Sequence, residues 1–328
     1  MLYGKLTLIL TNMSHKFKDK IKSRYQQLYM PQFSPRRNFD NCINDYDEAQ
    51  HHILTLLESG KPCLISRFGS VELSCYTTYR RGGHPFWWLR RTIPFWRRDE
   101  ELFEMQKNAG FFNGNHEAFC NFADLLLDSA KQIDILGTWM ENEYVIENKL
   151  SYDKVKLLHL EPYFAKNPWS KYLEGKDVLV VHPFKKSIES QYKRRKLLFD
   201  NVDVLPEFKS LTVIQSVQSV GGNNCGFNDW FEALHHMEEQ IDAIDYDVAL
   251  IGCGAYGMPL AAHCKKKGKQ AIHLGGALQL MFGIKGKRWD EQYNSESYKR
   301  LLSNPSWIRP LQEETPISAK NIENACYW

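Results

Sequence analysis

Apolar and polar positions along the chain repeat at two periods, and stretches of the two kinds alternate. DEAQHHILTLLESG (47–60) is amphipathic at helical spacing and closes on Gly60, and the apolar run KPCLIS (61–66) after it predicts a strand. Further short apolar runs predict strands at QIDILG (132–137), KVKLLHL (154–160), KDVLVV (176–181), LTVIQSV (211–217), DYDVALI (245–251) and KQAIHL (269–274). Between them HEAFCNFADLLLDSAK (116–131), IESQYKRRKLLFD (188–200), DWFEALHHMEEQIDAI (229–244) and YGMPLAAHCKKKG (256–268) read as helices. Strands separated by helices predict an α/β fold, a Rossmann-like, mostly parallel sheet with helices on both faces. No internal repeat or low-complexity segment interrupts the pattern.

The pattern also sets the expected organisation. Residues 1–40 form a basic arm ending in PQFSPRRNFD, whose prolines predict a linker; residues 41–303 carry the α/β domain; the Pro-punctuated tail 304–328 is expected to wrap its surface. The 328 residues are 43% hydrophobic and 25% charged with a net charge of +3, ordinary values for a soluble globular chain and no basis for a nucleic-acid partner. Eight cysteines show no C-x-x-C pair and no metal-finger spacing, which predicts buried, reduced thiols. There is no run of about 18 apolar residues, and the first residues place their apolar stretch ahead of the lysines, unlike a secretory signal. A cytoplasmic location is expected.

In open parallel sheets the ligand lies beyond the carboxyl ends of the strands, which selects candidate residues directly. After KPCLIS come Arg67, Gly69, Ser70 and Glu72; after KDVLVV come His182, Lys185, Lys186 and Ser187; after LTVIQSV come Gln218 to Asn224. DVALI leads into Gly252, Gly254, Tyr256 and Gly257, and KQAIHL, which contains His273, leads into Gly275 and Gly276. The three glycines at 252, 254 and 257 spell G-x-G-x-x-G, yet the acid that would take a ribose about 20 residues on is absent, its place held by His273. NAD is therefore not expected. Lys285, Lys287 and Arg288 beside Trp289 suit phosphates and a stacked ring. Structural readings stand beside these: a capped helix with an Arg67–Glu72 ion pair, a solvated face for Lys193–Lys196, and a Trp289 packed at the domain edge. HPFWWLRRTIPFWRR (84–98) interleaves aromatics with arginines and reads as a flap or a membrane-facing segment.

LISRFGSVEL resembles the RFGDGE-type segment of the GT-D glycosyltransferases, a bacterial family that builds surface or protein-linked glycans. DVALIGCGAYGMPLAAHCKKKGKQAIHLGG is similar to that family's C-terminal strand, glycine turn, helix and G-x-Q-A-I strand, and NPWSKYLEGKDVLVVHPF and GIKGKRW look like segments of capsule- and O-antigen-associated proteins. The matching positions are Arg67, Gly69, Glu72, Gly252 and Gly257. The resemblance implies a GT-D-like catalytic domain that transfers a sugar from a nucleotide-sugar donor, expected to be UDP-linked, to a glycan or lipid-linked acceptor. Its motif implies that Glu72 helps hold a divalent metal, Mn or Mg. Ser70 stands where the family has its first acid, and a serine is a poor ligand for a hard cation, so metal dependence stays open. Donor contacts are then expected from Arg67, Gly69, Ser70, Lys185, the 252–257 turn with Tyr256, His273, Gly275, Gly276 and the Lys285, Lys287, Arg288 loop. Glu72 and His182 are the candidate general bases. A lipid-linked acceptor would place the basic arm and the 84–98 segment on the inner face of the cytoplasmic membrane. The alternatives are a non-catalytic nucleotide-sugar-binding component of a polysaccharide assembly complex and an NAD(P)-dependent enzyme.

Overall fold

The structure, a computed structural model, describes residues 41–80, 95–147, 150–220, 225–292, 295–316, 319 and 326–328. Eight strands, β1 (Cys42–Ile43), β2 (Cys63–Ser66), β3 (Ile135–Thr138), β4 (Asp153–Lys156), β5 (Asp177–His182), β6 (Ser210–Gln215), β7 (Val248–Ile251) and β8 (Gln270–His273), form one sheet in the order β1-β4-β3-β2-β8-β7-β5-β6. Every neighbouring pair is parallel. The α/β, Rossmann-like expectation holds.

The strands β2, β3, β5, β7 and β8 are buried along almost their whole length because both faces of the sheet are covered there, whereas β4 and the edge strand β6 keep exposed polar positions. Side chains of a strand alternate between faces, and here the alternation divides two cores. Val178, Val180, Val248, Leu250 and Ile272 enter one; Leu179, Val181, Ala249, Ile251 and Ala271 enter the other. The longer helices are α1 (Tyr46–Glu58), α2 (Ser70–Arg80), α3 (Phe95–Asn108), α4 (His116–Ala130), α5 (Lys185–Tyr192), α6 (Trp230–Asp242) and α7 (Gly257–Lys266). Helices α1 and α5 supply Ile53, Leu57 and Ile188 to the first core; α2, α4, α6 and α7 supply Leu73, Phe122, Trp230 and Leu260 to the second. Asp45, Asn115 and Asp229 start α1, α4 and α6 by accepting the backbone N–H three residues on, each at 2.9 Å.

Four segments depart from the sequence pattern. KVKLLHL gives up its second half to a 3-10 turn, Leu157–Leu160. Helix α5 begins at Lys185 rather than 188 and stops at Tyr192. Helix α3 begins inside the aromatic and arginine-rich stretch; residues 84–94 of that stretch, like the basic arm 1–40, lie outside the described residues. The tail after residue 303 does more than wrap the surface. Trp307 is buried in the first core and donates its indole N–H to Leu198 O at 2.9 Å, and Ile308 bridges Ile284 as a parallel pair. No helix among the described residues is long and apolar enough to cross a membrane.

The strand order positions a site. Beyond β5 the chain moves outward to β6, whereas beyond β7, the other neighbour of β5, it moves the opposite way to β8. Connections that diverge at adjacent strands open a crevice at their carboxyl ends.

Candidate functional site

A cavity of about 620 Å³ occupies that crevice and extends across the carboxyl edge of the sheet. Seven strand ends line it: Arg67 after β2, Trp139 after β3, Leu157 after β4, His182 at the end of β5, Ser216 after β6, Gly252 after β7 and Gly275 after β8. The two sides meet at Gly252, where a Cβ would collide with the carbonyl oxygen of Gly275 and come within 3.1 Å of the His182 ring. Only glycine allows this close approach of one strand-end loop to the next.

The β2–β3–β8 side is cationic and aromatic. The Arg67 guanidinium sits with its Cζ 5.0 Å from the centroid of the Trp139 ring. Trp139 is fixed from behind, its indole N–H donating to Phe68 O at 3.0 Å. Its loop is tied by buried Glu143, whose carboxylate accepts from Thr138 Oγ1 and from the N–H groups of Trp139 and Met140. Gly275, at φ +61, would place a Cβ 3.2 Å from Arg67 Nη1, so its missing side chain makes room for the guanidinium. Among the described residues Arg67 has no carboxylate within 4.0 Å. Burial lowers its pKa and the more distant Glu72 charge opposes that shift, but a guanidinium remains charged throughout the ordinary pH range. The ion pair that would have made Arg67 and Glu72 a purely structural couple is not formed. Glu72 instead folds back over Gly69, where a Cβ would collide with its carboxylate, and it is the one acid among the described lining residues.

Arg288 completes this side. Its Cζ lies 4.7 Å from the Tyr327 ring centroid and its Nη2 donates to Cys326 Sγ at 3.3 Å. Hydrogen bonds to its carbonyl oxygens hold the short segment Cys326–Trp328 in place: from the backbone Arg288 N–H to Cys326 O at 2.9 Å, from the side-chain Gln279 Nε2 to Tyr327 O at 3.2 Å and from the backbone Lys287 N–H to Trp328 O at 3.3 Å. Gly276 leaves space for the Tyr327 ring.

The β5–β6–β7 side carries no formal charge. His182 is buried and accepts from the Phe184 N–H through Nδ1 at 3.0 Å, which places its proton on Nε2. Burial pushes its pKa down to about 3, so the ring is a neutral donor at neutral pH. His273, between the sides, is likewise lowered to about 3 by burial and by the nearby Arg67 charge. Its Nδ1 lies 3.0 Å from Ser66 Oγ, and its ring fills the space that Gly257 vacates. Gly257 is thus explained by packing. Tyr256 stacks on Trp230 at 4.7 Å and 6° and turns its hydroxyl to Ser219 Oγ at 3.2 Å, and Ser219 in turn donates to Gly110 O at 2.6 Å. Gly254, at φ +59, makes the tight turn.

Three candidate cations fall elsewhere. Lys185 lies outside the cavity lining and faces Glu189 at 3.8 Å; Lys287 faces Glu291 at 3.5 Å; Lys285 also lies outside the lining. The start of α5, a predicted phosphate seat, holds an internal anion instead: the buried Glu314 carboxylate accepts from Lys186 N–H at 2.6 Å, from Ser187 N–H at 3.2 Å and from Ser187 Oγ. A carboxylate there satisfies the same N–H groups and dipole that a phosphate would. Trp289 is buried with its ring against Gly286 and does not line the cavity. Among the described residues no group of three His, Cys, Asp or Glu side chains is placed to hold a metal ion, and Glu72 is the one acidic side chain in the lining.

Residues that the sequence reading passed over include Trp139, Asn108, Tyr327, Trp328 and Glu314. Trp139 was within reach, because it follows a predicted strand by two residues as Arg67 follows another by one. The others come from helix ends and from the tail, whose position depends on tertiary packing. No protein-family model matches the chain, and no curated protein or solved structure matches it.

Proposed function

We propose that the protein is a glycosyltransferase that binds a nucleotide-sugar in the sheet-end cleft and transfers its sugar to a hydroxyl-bearing acceptor. The observation that carries this reading is Arg67: a guanidinium held against Trp139 and Gly275, lining a cavity, with no carboxylate in ion-pair range among the described residues. A part-buried cation with no carboxylate in direct contact is costly, and an anionic ligand would supply that contact. Trp139 and Tyr327 add ring faces on which a base can stack while Arg67 and Arg288 take a diphosphate. The likeness of LISRFGSVEL and of the 248–276 region to the GT-D segments supports the same class.

In the transfer step the acceptor oxygen attacks the anomeric carbon, the bond from that carbon to the diphosphate oxygen breaks, and the diphosphate leaves with the electron pair. Arg67 and Arg288 neutralise the charge that develops on it. The acceptor proton goes to Glu72, the acid in the lining. His182 suits that role less well, because its Nδ1 already accepts and its conjugate acid is disfavoured by burial. A second reading, a binding protein without transfer activity, is favoured by the single carboxylate in the lining.

The test is calorimetric titration with UDP-, GDP-, CMP- and dTDP-sugars, followed by product analysis with and without Glu72→Gln. Tight binding of one donor with turnover lost in the folded Glu72→Gln variant supports transfer. Binding without turnover in the wild type supports the second reading, and no binding of any nucleotide-sugar overturns both.

A further inference from the structure

The two sides of the cleft differ in hydrogen-bonding chemistry. Arg67, with no carboxylate within 4.0 Å among the described residues, and Arg288 carry donors only, and donors suit acceptor oxygens such as those of phosphate. On the other side that chemistry is reversed. Ser216, 4% exposed, lines the cleft with a buried Oγ that has no hydrogen-bond partner, and the Asn108 Oδ1 at the end of α3 is buried and unpartnered in the same lining. A third such oxygen, the Oε1 of Gln279 (1% exposed), lies on the cationic side, in the segment after β8. Asn108 and Ser216 belong to one neighbourhood: Gly110 accepts from Ser219, and Ser216 N–H donates to His182 O at 3.2 Å.

Buried polar atoms are nearly always satisfied in folded proteins, so lone oxygens gathered at one cavity mark the place of a missing partner. A phosphate oxygen cannot be the partner of the amide oxygens of Asn108 and Gln279, because at neutral pH it brings no proton to donate; Ser216, a hydroxyl, can pair with a donor or an acceptor. A ligand hydroxyl can donate to those amide oxygens, and it can also accept from His182 Nε2–H and, after rotation about χ1, from Ser216. Size agrees with chemistry, since a 620 Å³ cavity is wide enough for a second ligand moiety beyond the diphosphate.

We infer that the β5–β6–β7 side of the cleft is a subsite for the uncharged, polyhydroxylated part of the ligand, with Asn108, Ser216 and His182 reading its hydroxyls while the diphosphate lies over Arg67 and Arg288. This rests on the nucleotide-sugar reading and orients it: the sugar points toward the crevice between β5 and β7, the nucleoside toward Trp139 and Tyr327.

The experiment compares each nucleotide-sugar of the panel with its parent nucleotide by calorimetry, in wild type, Ser216→Ala, Asn108→Ala and Arg67→Gln, with thermal melts to verify folding. The sugar should raise wild-type affinity about tenfold over the parent nucleotide. Ser216→Ala and Asn108→Ala should each erase most of that ratio and leave parent-nucleotide affinity unchanged, whereas Arg67→Gln should weaken both ligands equally. A ratio that stays at the wild-type value in both folded alanine variants overturns the subsite and leaves nucleotide binding standing; in that case ordered water fills the place. A panel in which no nucleotide binds overturns the subsite together with the function it rests on. Because serine to alanine removes one atom, the Ser216 variant keeps the question answerable if Asn108→Ala fails to fold.

Discussion

At the end of β8, Gly275 leaves room for a guanidinium; at the end of β7, Gly252 leaves room for a backbone carbonyl and the edge of a neutral imidazole. The two turns look alike in sequence, each a glycine directly or one residue after a buried strand. One opens the cleft to an anion and the other closes the seam between its two sides. A glycine at a strand end is therefore no sign of phosphate by itself; what fills the vacated space gives it meaning. The same contrast separates Arg67, whose charge has no carboxylate in ion-pair range among the described residues, from the start of α5, where Glu314 already fills the anion's place.

The sharpest way to break this comparison is to remove the cation. Arg67→Gln is expected to weaken binding of the cognate nucleotide-sugar by about 100-fold, the loss of two charge-assisted hydrogen bonds, with little change in melting temperature. Unchanged affinity would mean that the cationic side does not hold the ligand.

Next in size is the seam. Gly252→Ala would drive a methyl group into Gly275 O, a backbone atom that cannot rotate away, and should cost about 3 kcal/mol in denaturant unfolding. The same change at Gly268, a helix end with open space around it, should cost about 1 kcal/mol from its positive φ alone. Equal losses at the two sites would show that the seam is not tightly packed.

Glu314→Ala should cost about 2 kcal/mol, because it strips the buried N–H groups of Lys186 and Ser187 of their acceptor. If phosphate or sulfate then stabilises this variant more than the wild type, the start of α5 is an anion site that the protein fills for itself.

The remaining effect, spread gradually over about two pH units, is on pH dependence. His182 and His273 are held near 3, below the ordinary histidine value of 6.5, so the folded state binds fewer protons than the unfolded state between those values. Their stabilisation is complete above pH 6.5 and is lost as pH falls. Buried Glu161, held up at about 7 beside Tyr298, has the opposite sign and gains as pH falls from 7 toward 4.5. Between pH 6.5 and 4.5 these two histidines outweigh Glu161 by one proton, a loss of about 1.4 kcal/mol per pH unit, and His159, also lowered by burial, adds to it. Unfolding curves of His273→Gln should be shallower than those of the wild type by about 1.4 kcal/mol per pH unit over that window; a slope equal to that of the wild type would show that His273 is not buried neutral.

Much of the fold was legible because strands covered on both faces read as short apolar runs, as β2, β3, β5, β7 and β8 do. The apolar runs that follow β4 and β6 into their carboxyl ends mark those two as well, so that seven of the eight strands overlap an expected segment. The exception, β1, pairs through only two residues, too few for any period to register. Helix α5 was misplaced because its start is fixed by Glu314, more than a hundred residues away, and local pattern cannot report a cap from so far along the chain.

For the site, the sequence by itself determined which chemistry stands at each strand end: an arginine and a glutamate after β2, a histidine at β5, glycines after β7 and β8. Those positions follow from the chain alone, since a parallel sheet sends every strand's carboxyl end to one edge. Only the tertiary structure decided which of these groups share the cavity, that Lys185 and Lys287 turn to neighbouring glutamates, and that Trp139 and Tyr327 flank the two arginines. It also decided which polar atoms go without partners. The reason is physical: charge and hydrogen-bonding capacity belong to residue types, whereas whether that capacity is already spent depends on contacts between segments far apart in the chain.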